Sequence, residues 1–216
     1  MQATSKYVAM DCEMVGTGRG GTESALARCS IVDYNKRVLY DEYVKPEQPV
    51  TDYRTRFSGI LPRHLVHATP YEEARKEIKK ILEGKIIIGH DMRRDFSTLG
   101  LNIQMFDTRD TSLCEPLLKK ARLTVGRRAS LKNLAKILLS IQIQNSSEGH
   151  CSVEDAKAVM DLFRLVDKEW ERGPHSWAEA PRPRRYQNRR YNFDIDFEDY
   201  NSCNDCCDDD DDYCFD

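Results

Sequence analysis

The sequence predicts an α/β fold in which a mixed β-sheet is flanked by helices. Three observations predict it: apolar strand-like runs open the chain around a tight turn, a helix-period apolar stripe follows near residue 70, and short β-branched runs then alternate with helical segments. Tyr7–Met14 reads as a buried strand, and Leu26–Tyr34 and Arg37–Val44 as two more, joined at Asn35-Lys36 in an antiparallel opening. Thr69-Pro70-Tyr71-Glu72 has the form of a capping box with proline at the first helical position. Ala74, Ile78, Ile81 and Leu82 then supply the stripe of a helix over 70–83, which Gly84 ends. Lys85–Gly89 is a β-branched run typical of a central strand, and Asp91–Leu99 follows as a helix with Asp91 as its N-cap. An edge strand at Ile103–Asp107, helices at Ser112–Ala121 and Ser130–Ser140, and a long helix over Val153–Arg172 complete the order.

A chain of 216 residues has room for one domain with a hydrophobic core and an additional segment. We expect the domain to occupy residues 1–173 and a tail to occupy 174–216, because apolar periodicity stops after Gly173-Pro174. The Arg/Pro-rich and then acidic composition of that tail is unable to bury a core, so it reads as disordered. The net charge of −3 divides unevenly, with 5 Arg against 11 Asp and Glu after residue 180, so the body is about +3 and the tail −6. A weakly basic body permits nucleic-acid binding without demanding it, since phosphate binding depends on a local patch. Cys12, Cys29, Cys114 and Cys151 are scattered singly and the other four cysteines crowd the tail, which is no secreted disulfide framework. With no basic-then-apolar leader and no apolar run of bilayer length, a soluble intracellular protein is expected, in nucleus and cytoplasm.

Three stretches carry chemistry. In Val8-Ala9-Met10-Asp11-Cys12-Glu13-Met14, two acids sit two apart within an apolar strand, so period two puts both on one face. Two such carboxylates repel and lose hydration unless cations neutralise them; the bland alternative is a strand end where both reach solvent. In Gly89-His90-Asp91-Met92-Arg93-Arg94-Asp95, Asp95 lies one turn inside a helix, where it is either a first-turn acid favoured by the helix dipole or a group aimed at the strand ends. In Gly149-His150-Cys151-Ser152-Val153-Glu154-Asp155, the spacing of Ser152 and Asp155 fits a capping box, which gives Asp155 a structural account. His150 has no such account, and a histidine before a helix converges with an acid one turn inside it as a base and a metal ligand do. Phosphodiester hydrolysis explains such an assembly: hard cations held by carboxylates activate water and neutralise phosphate charge, while an imidazole takes the water's proton.

Taken together, Asp-x-Glu on the first strand, an Asp after Gly-His, and His-x4-Asp opening the last helix resemble the DEDDh 3′-5′ exonucleases of the ribonuclease H-like superfamily. Ala9–Gly16, Leu26–Ser30, Asp52–Arg56, Ser58-Gly59 and Gly149–Asp155 are similar to the interferon-stimulated twenty-kilodalton exonuclease and apoptosis-enhancing nuclease group, over about residues 6–172. The resemblance implies a five-stranded mixed sheet, two Mg²⁺ or Mn²⁺ ions, and release of nucleoside 5′-monophosphates. It further implies metal ligation by Asp11, Glu13, Asp95 and Asp155, with His150 as general base. That group reads Gly-His-Ser-Ser-Val-Glu-Asp where this chain has Cys151 for the first serine, a small change. Met14 and Arg54 correspond to positions near the terminal sugar, and Arg54 and Arg56, close to the Ser58-Gly59 turn, are candidates for substrate contact, with surface salt bridging as their plain alternative. The expected substrate is single-stranded RNA and, less readily, single-stranded DNA. The rival readings are a catalytically silent RNA-binding module of the same fold and a DNA-preferring exonuclease.

Gly16-Thr17-Gly18-Arg19-Gly20-Gly21 formally matches the dinucleotide-binding fingerprint, but it requires a helix next and Leu26 onward reads as a strand, so we read a hairpin-like loop. Cys203, Cys206, Cys207 and Cys214 have irregular spacing and no apolar set around which a zinc finger folds. Arg182–Tyr191, five arginines with two tyrosines, reads as a solvated linker in preference to an RNA-binding or nuclear-targeting segment. The acidic run Asp208–Asp212 is either a solubilising appendage or a nucleic-acid mimic that competes for the body's basic face. Truncation after Gly173 separates the two: a mimic predicts higher nuclease activity at low salt that converges with the full chain as salt screens the charge, whereas unchanged low-salt kinetics leave the solubilising role.

Overall fold

A computed structural model of the chain describes residues 6–146 and 148–172. The predicted tail 174–216, with its disorder, its acidic run and its cysteines, lies outside the described residues. Seven strands form one mixed sheet: β1 (Tyr7–Thr17), β2 (Glu23–Asp33), β3 (Val38–Lys45), β4 (Val50–Asp52), β5 (Thr69–Pro70), β6 (Ile86–Gly89) and β7 (Asp107–Asp110). Their order is β5-β3-β2-β1-β6-β7, with the short β4 pairing with β1 as well. β1 is antiparallel to β2 and β4 and parallel to β6, and β6 is parallel to β7. The five strands expected are the longer ones, and β4 and β5 add three and two residues of chain to the margins.

Helices cover both faces. On one side α4 (Glu115–Lys120), α5 (Leu131–Leu134), α6 (Ser152–Arg164) and α7 (Asp167–Arg172) close a core that includes Ala9, Val32, Ile88, Leu117, Val159 and Phe163. On the other, α2 (Tyr71–Leu82) and α3 (Arg93–Thr98) bury Ala74, Ile78, Leu82, Phe96 and Leu99 against Val8, Met10, Ile31 and Ile87. Strand alternation therefore sends Val8, Met10 and Cys12 to the α2/α3 side, and Ala9, Asp11 and Glu13 to the α6 side. The turn predicted at Asn35-Lys36 forms, with Lys36 left-handed at φ 64° and the Asp33 carboxylate accepting the Asn35 and Arg37 N–H groups at 2.8 and 2.9 Å. After Gly16–Gly21 comes strand β2, as the rejection of a dinucleotide site requires. Gly16 is needed there because a Cβ would lie 2.6 Å from the Gly21 carbonyl oxygen. No helix among the described residues is long and apolar enough to cross a membrane.

Several local expectations give way to longer-range contacts. Thr69-Pro70 pairs with β3 as strand β5, so α2 begins at Tyr71 without a side-chain cap, and no Thr69–Glu72 capping box forms. Asp91 is not an N-cap: its backbone is left-handed at φ 56°, its N–H donates to Asp110 Oδ1 at 2.9 Å, and its carboxylate pairs with Arg128. The strand expected at Ile103–Asp107 starts only at Asp107, because Asn102 caps a 3₁₀ turn at Ile103–Met105. The Ser112–Ala121 helix shrinks to α4 after a separate 3₁₀ turn at Thr111–Leu113, and the Ser130–Ser140 helix is α5 continued by a π-helical stretch at Ala135–Leu139. The expected 153–172 helix breaks at Leu165-Val166, where bonds tighten to i→i−3 spacing and α7 folds Trp170 onto Phe163 at 5.9 Å between ring centres.

A short helix, α1 (Thr55–Ser58), locks onto the segment before α6. The His150 N–H donates to the Phe57 carbonyl at 2.8 Å, and Gly59 and Gly149 meet backbone to backbone. A Cβ on Gly149, whose φ is 97°, would lie 2.2 Å from Gly59 N. Gly84, at φ 69°, has nothing within 4 Å of the same atom. Gly84→Ala should therefore cost only left-handed strain, about 1–2 kcal/mol, whereas Gly149→Ala adds a backbone collision and should cost more than about 3 kcal/mol. Urea unfolding of both variants checks this, and equal losses would show that the glycine interlock relaxes freely.

Candidate active site

The sheet and α6 bring three carboxylates to one point. Asp11 and Glu13 project from the α6 side of β1, and Asp155 sits in the first turn of α6; one ligand atom from each lies within 4.8 Å of the others. A register shift after Glu13, where Met14 pairs with Leu26, leaves Ala27 of β2 as an extra residue opposite the site. Glu13 is 6% exposed and Asp155 2%. The capping box read for Ser152 and Asp155 does not form: Cys151 is the N-cap, and Ser152 is fully buried with its hydroxyl 2.6 Å from that of Ser30. Because the Ser30 hydroxyl donates to Asp41 Oδ1 at 2.8 Å, Ser152 is the donor to Ser30. Arg28 grips both oxygens of Asp41 at 2.9 and 3.0 Å and lies over the Tyr43 ring. A chain of polar contacts thus fastens the start of α6 to β2 and β3, and frees Asp155 from capping duty.

Asp95, in the first turn of α3, reaches the same end of the sheet from the other face and is 8% exposed. It stands outside the close triplet, yet after burial it is the foremost charge acting on Asp11. Every acid of the set holds its proton more tightly than a free carboxyl. Burial and then Asp95, Glu13 and Asp155 push Asp11 well above the usual range. Burial and Asp155, against the opposing effect of Arg28, raise Glu13 to about 9. Burial, Asp91 and Asp110 raise Asp95 to about 8. Burial raises Asp155 to about 6 despite a hydrogen bond from Gln144. His150 is half-buried, with Nδ1 4.0 Å from Asp155 Oδ2; burial and then Lys132 lower its pKa below the ordinary histidine value.

Glu13 Oε1 and Asp155 Oδ1 are buried with no hydrogen-bond partner. Buried oxygens are nearly always satisfied, so two orphaned acceptors within one acidic cluster mark a place for a cation. The donors are all hard oxygen, which fits Mg²⁺ or Mn²⁺. Asp11, Glu13 and Asp155 are the residues able to hold one ion directly, with Asp95 beside them.

The remaining sequence candidates are Met14, Arg54 and Arg56. Met14 is half-buried against the α2/α3-side core. The Arg54 guanidinium donates to Ser24 Oγ at 2.9 Å and to the Gly21 carbonyl at 2.8 Å, tying its left-handed turn to the β1–β2 hairpin. Arg56 is exposed. Arg54 thus spends its guanidinium on neutral oxygens, where the plain reading assigned it a surface salt bridge. Residues that sequence reasoning passed over are Arg28, Ser30 and Asp41, which brace α6, and Phe57, a 64% exposed ring one backbone bond from His150. An aromatic between Arg56 and Ser58-Gly59 was the available signal for Phe57; the brace gives none, because its members are local only after folding.

The chain matches the family model described as Exonuclease, RNase_T, over residues 8–163. It is 54% identical over 166 residues to interferon-stimulated 20 kDa exonuclease-like 2 of Homo sapiens, covering 77% of this chain and 47% of that protein. It is 50% identical over 167 residues to apoptosis-enhancing nuclease of Pongo abelii, covering 77% and 51%. The chain thus spans about half the length of these curated relatives. Among solved structures, the Pan2 pseudoubiquitin hydrolase-RNA exonuclease module of Saccharomyces cerevisiae in complex with A7 RNA superposes with a TM-score of 0.64 at 26% identity, covering 82% of this chain and 31% of that one. The mixed sheet flanked by helices and the matched region agree with the resemblance drawn from the motifs, and the chain belongs to the RNase_T exonuclease family.

Proposed function

We propose that this chain hydrolyses single-stranded RNA from its 3′ end, and single-stranded DNA less readily, in a reaction that depends on Mg²⁺ or Mn²⁺ and releases nucleoside 5′-monophosphates. The observation that carries the reading is the convergence of Asp11, Glu13 and Asp155 within 4.8 Å, with two orphaned oxygens and an imidazole beside them. Asp11, Glu13 and Asp155, joined by Asp95, would hold the cations. When bound, such cations neutralise phosphate charge and acidify water. Family membership supports phosphodiester hydrolysis, and the RNA-bound Pan2 neighbour supports RNA as substrate.

The chain's own groups supply the rest. His150, neutral because burial and Lys132 lower its pKa, accepts the proton of the attacking water at its unprotonated ring nitrogen. Phe57 offers a ring face on which an unstacked base packs, a contact every base can make. Arg54 holds the hairpin that carries the segment after Glu13, so it shapes the sugar-side wall through Gly21 and Ser24. Met14, one residue beyond Glu13, flanks that wall.

An RNA oligomer labelled at either end, with and without Mg²⁺ or Mn²⁺, tests the reading. The 3′-labelled oligomer should lose label as mononucleotide from the first turnover, and only with the metal. His150→Ala should lower the maximal rate by about 10²–10⁴-fold while RNA affinity in Ca²⁺ stays near wild type. Binding without metal-dependent cleavage would leave a silent RNA-binding module, faster DNA digestion would leave a DNA exonuclease, and parallel loss of affinity and rate would make His150 a substrate contact.

The raised carboxyl pKa values also fix a stability trend. Acids that titrate higher folded than unfolded bind more protons in the native state, so their contribution is present in full below about pH 4 and is lost as pH rises through the folded values. With Glu13 near 9, Asp95 near 8 and Asp155 near 6, the metal-free protein should lose thermal stability progressively from about pH 4 to about pH 9. Asp11→Asn should flatten that decline, raise the melting temperature at pH 8 without metal, and abolish activity. A lower melting temperature in the variant, or retained metal-dependent cleavage, would remove Asp11 from the cation site.

A further inference from the structure

Asp155 presents its two oxygens to different surroundings. Oδ2 accepts a hydrogen bond from Gln144 Nε2 at 2.7 Å and faces His150 Nδ1 at 4.0 Å, whereas Oδ1 is buried and orphaned. A carboxylate only accepts, so the amide nitrogen of Gln144 must be the group turned toward it. The first turn of α6 offers no substitute for this tether, since Cys151 gives no side-chain cap and Ser152 is committed to Ser30. The Gln144 backbone is itself held in place. Ile143 is 2% exposed and anchored in the core beneath α6; Gln144 is left-handed at φ 57°, and its carbonyl accepts from Lys132 Nζ at 3.5 Å. A non-glycine residue in that conformation persists only where its surroundings over-determine it.

We propose that Gln144 is a positioning residue that sets the rotation of the Asp155 carboxylate, tethering Oδ2 so that Oδ1 is aimed at the cation shared with Asp11 and Glu13. It acts through Asp155 and touches neither cation nor substrate. Without the tether, Asp155 is free to turn and to share Oδ2 with His150, and the cation loses a pre-oriented ligand. Partners that orient ligands of this kind change metal affinity by about 10–100-fold. The inference rests on the cation-binding reading above.

Titration of RNA-free protein with Mn²⁺, following the signal of the free aqua ion by electron paramagnetic resonance, tests it with Gln144→Met, which keeps the length of the side chain and removes the donor. The Mn²⁺ dissociation constant should rise about 10–100-fold. The Mn²⁺ concentration for half-maximal activity should shift in parallel, and the rate at saturating Mn²⁺ should return to within about 3-fold of wild type. The melting temperature in a chelator should be that of wild type, a combination that a structural role would not produce. If Gln144→Met does not fold, Gln144→Ala is titrated in its place. Asp155→Asn separates the two readings. Loss of Mn²⁺ binding in Asp155→Asn with wild-type affinity in the Gln144 variants overturns the positioning role alone, and wild-type affinity in Asp155→Asn overturns the cation site itself.

Discussion

Three carboxylates forced to within 4.8 Å of one another, two of them almost fully buried, are the constraint on which this molecule turns. Burial strips each of water and proximity sets each against its neighbours, so the ionised cluster works against folding unless positive charge enters it. The protein supplies little: Arg28 eases Glu13, and is itself committed to Asp41. Its proposed cations would therefore complete the fold locally as well as the chemistry.

A cluster under such repulsion spreads unless a frame holds it. Here the frame consists of covalent spacing on β1, the Ser152–Ser30–Asp41–Arg28 chain beneath α6, and the glycine interlock that seats α1 against His150. Each fixes a different member. β1 carries Asp11 and Glu13, the polar chain sets the height of Asp155, and the α1 contact sets His150. Because these supports come from separate parts of the chain, changes far from the acids in sequence act directly on their geometry.

The sequence disclosed what depends on short-range periodicity. Alternation placed Asp11 and Glu13 on one face, and the spacing of His150 and Asp155 put an imidazole and a carboxylate at one helix start. Strand and helix order followed from apolar patterning around Ala74–Leu82 and Lys85–Gly89. Misreadings arose where a local motif had a stronger distant partner. Thr69 looked like a cap but pairs with β3, Asp91 looked like a cap but bonds Asp110 and Arg128, and Ser152 looked like half of a capping box but bonds Ser30. Gln144 was invisible for the same reason. Its meaning lies in a contact to Asp155 across a loop with no regular structure, where neither periodicity nor propensity offers a signal.

Placing β1 at the centre of the sheet has a consequence for how the chain is made. Asp11 and Glu13 emerge from the ribosome well before β6, which flanks β1 on its parallel side, and α6, which carries Asp155. Synthesis proceeds from the N-terminus, and pairings between distant segments form slowly. A nascent chain that stops short of α6 lacks Asp155, so its donor set is incomplete however well its first hairpin folds. The hydrolysis proposed for this chain therefore waits until synthesis has passed Asp155 in α6.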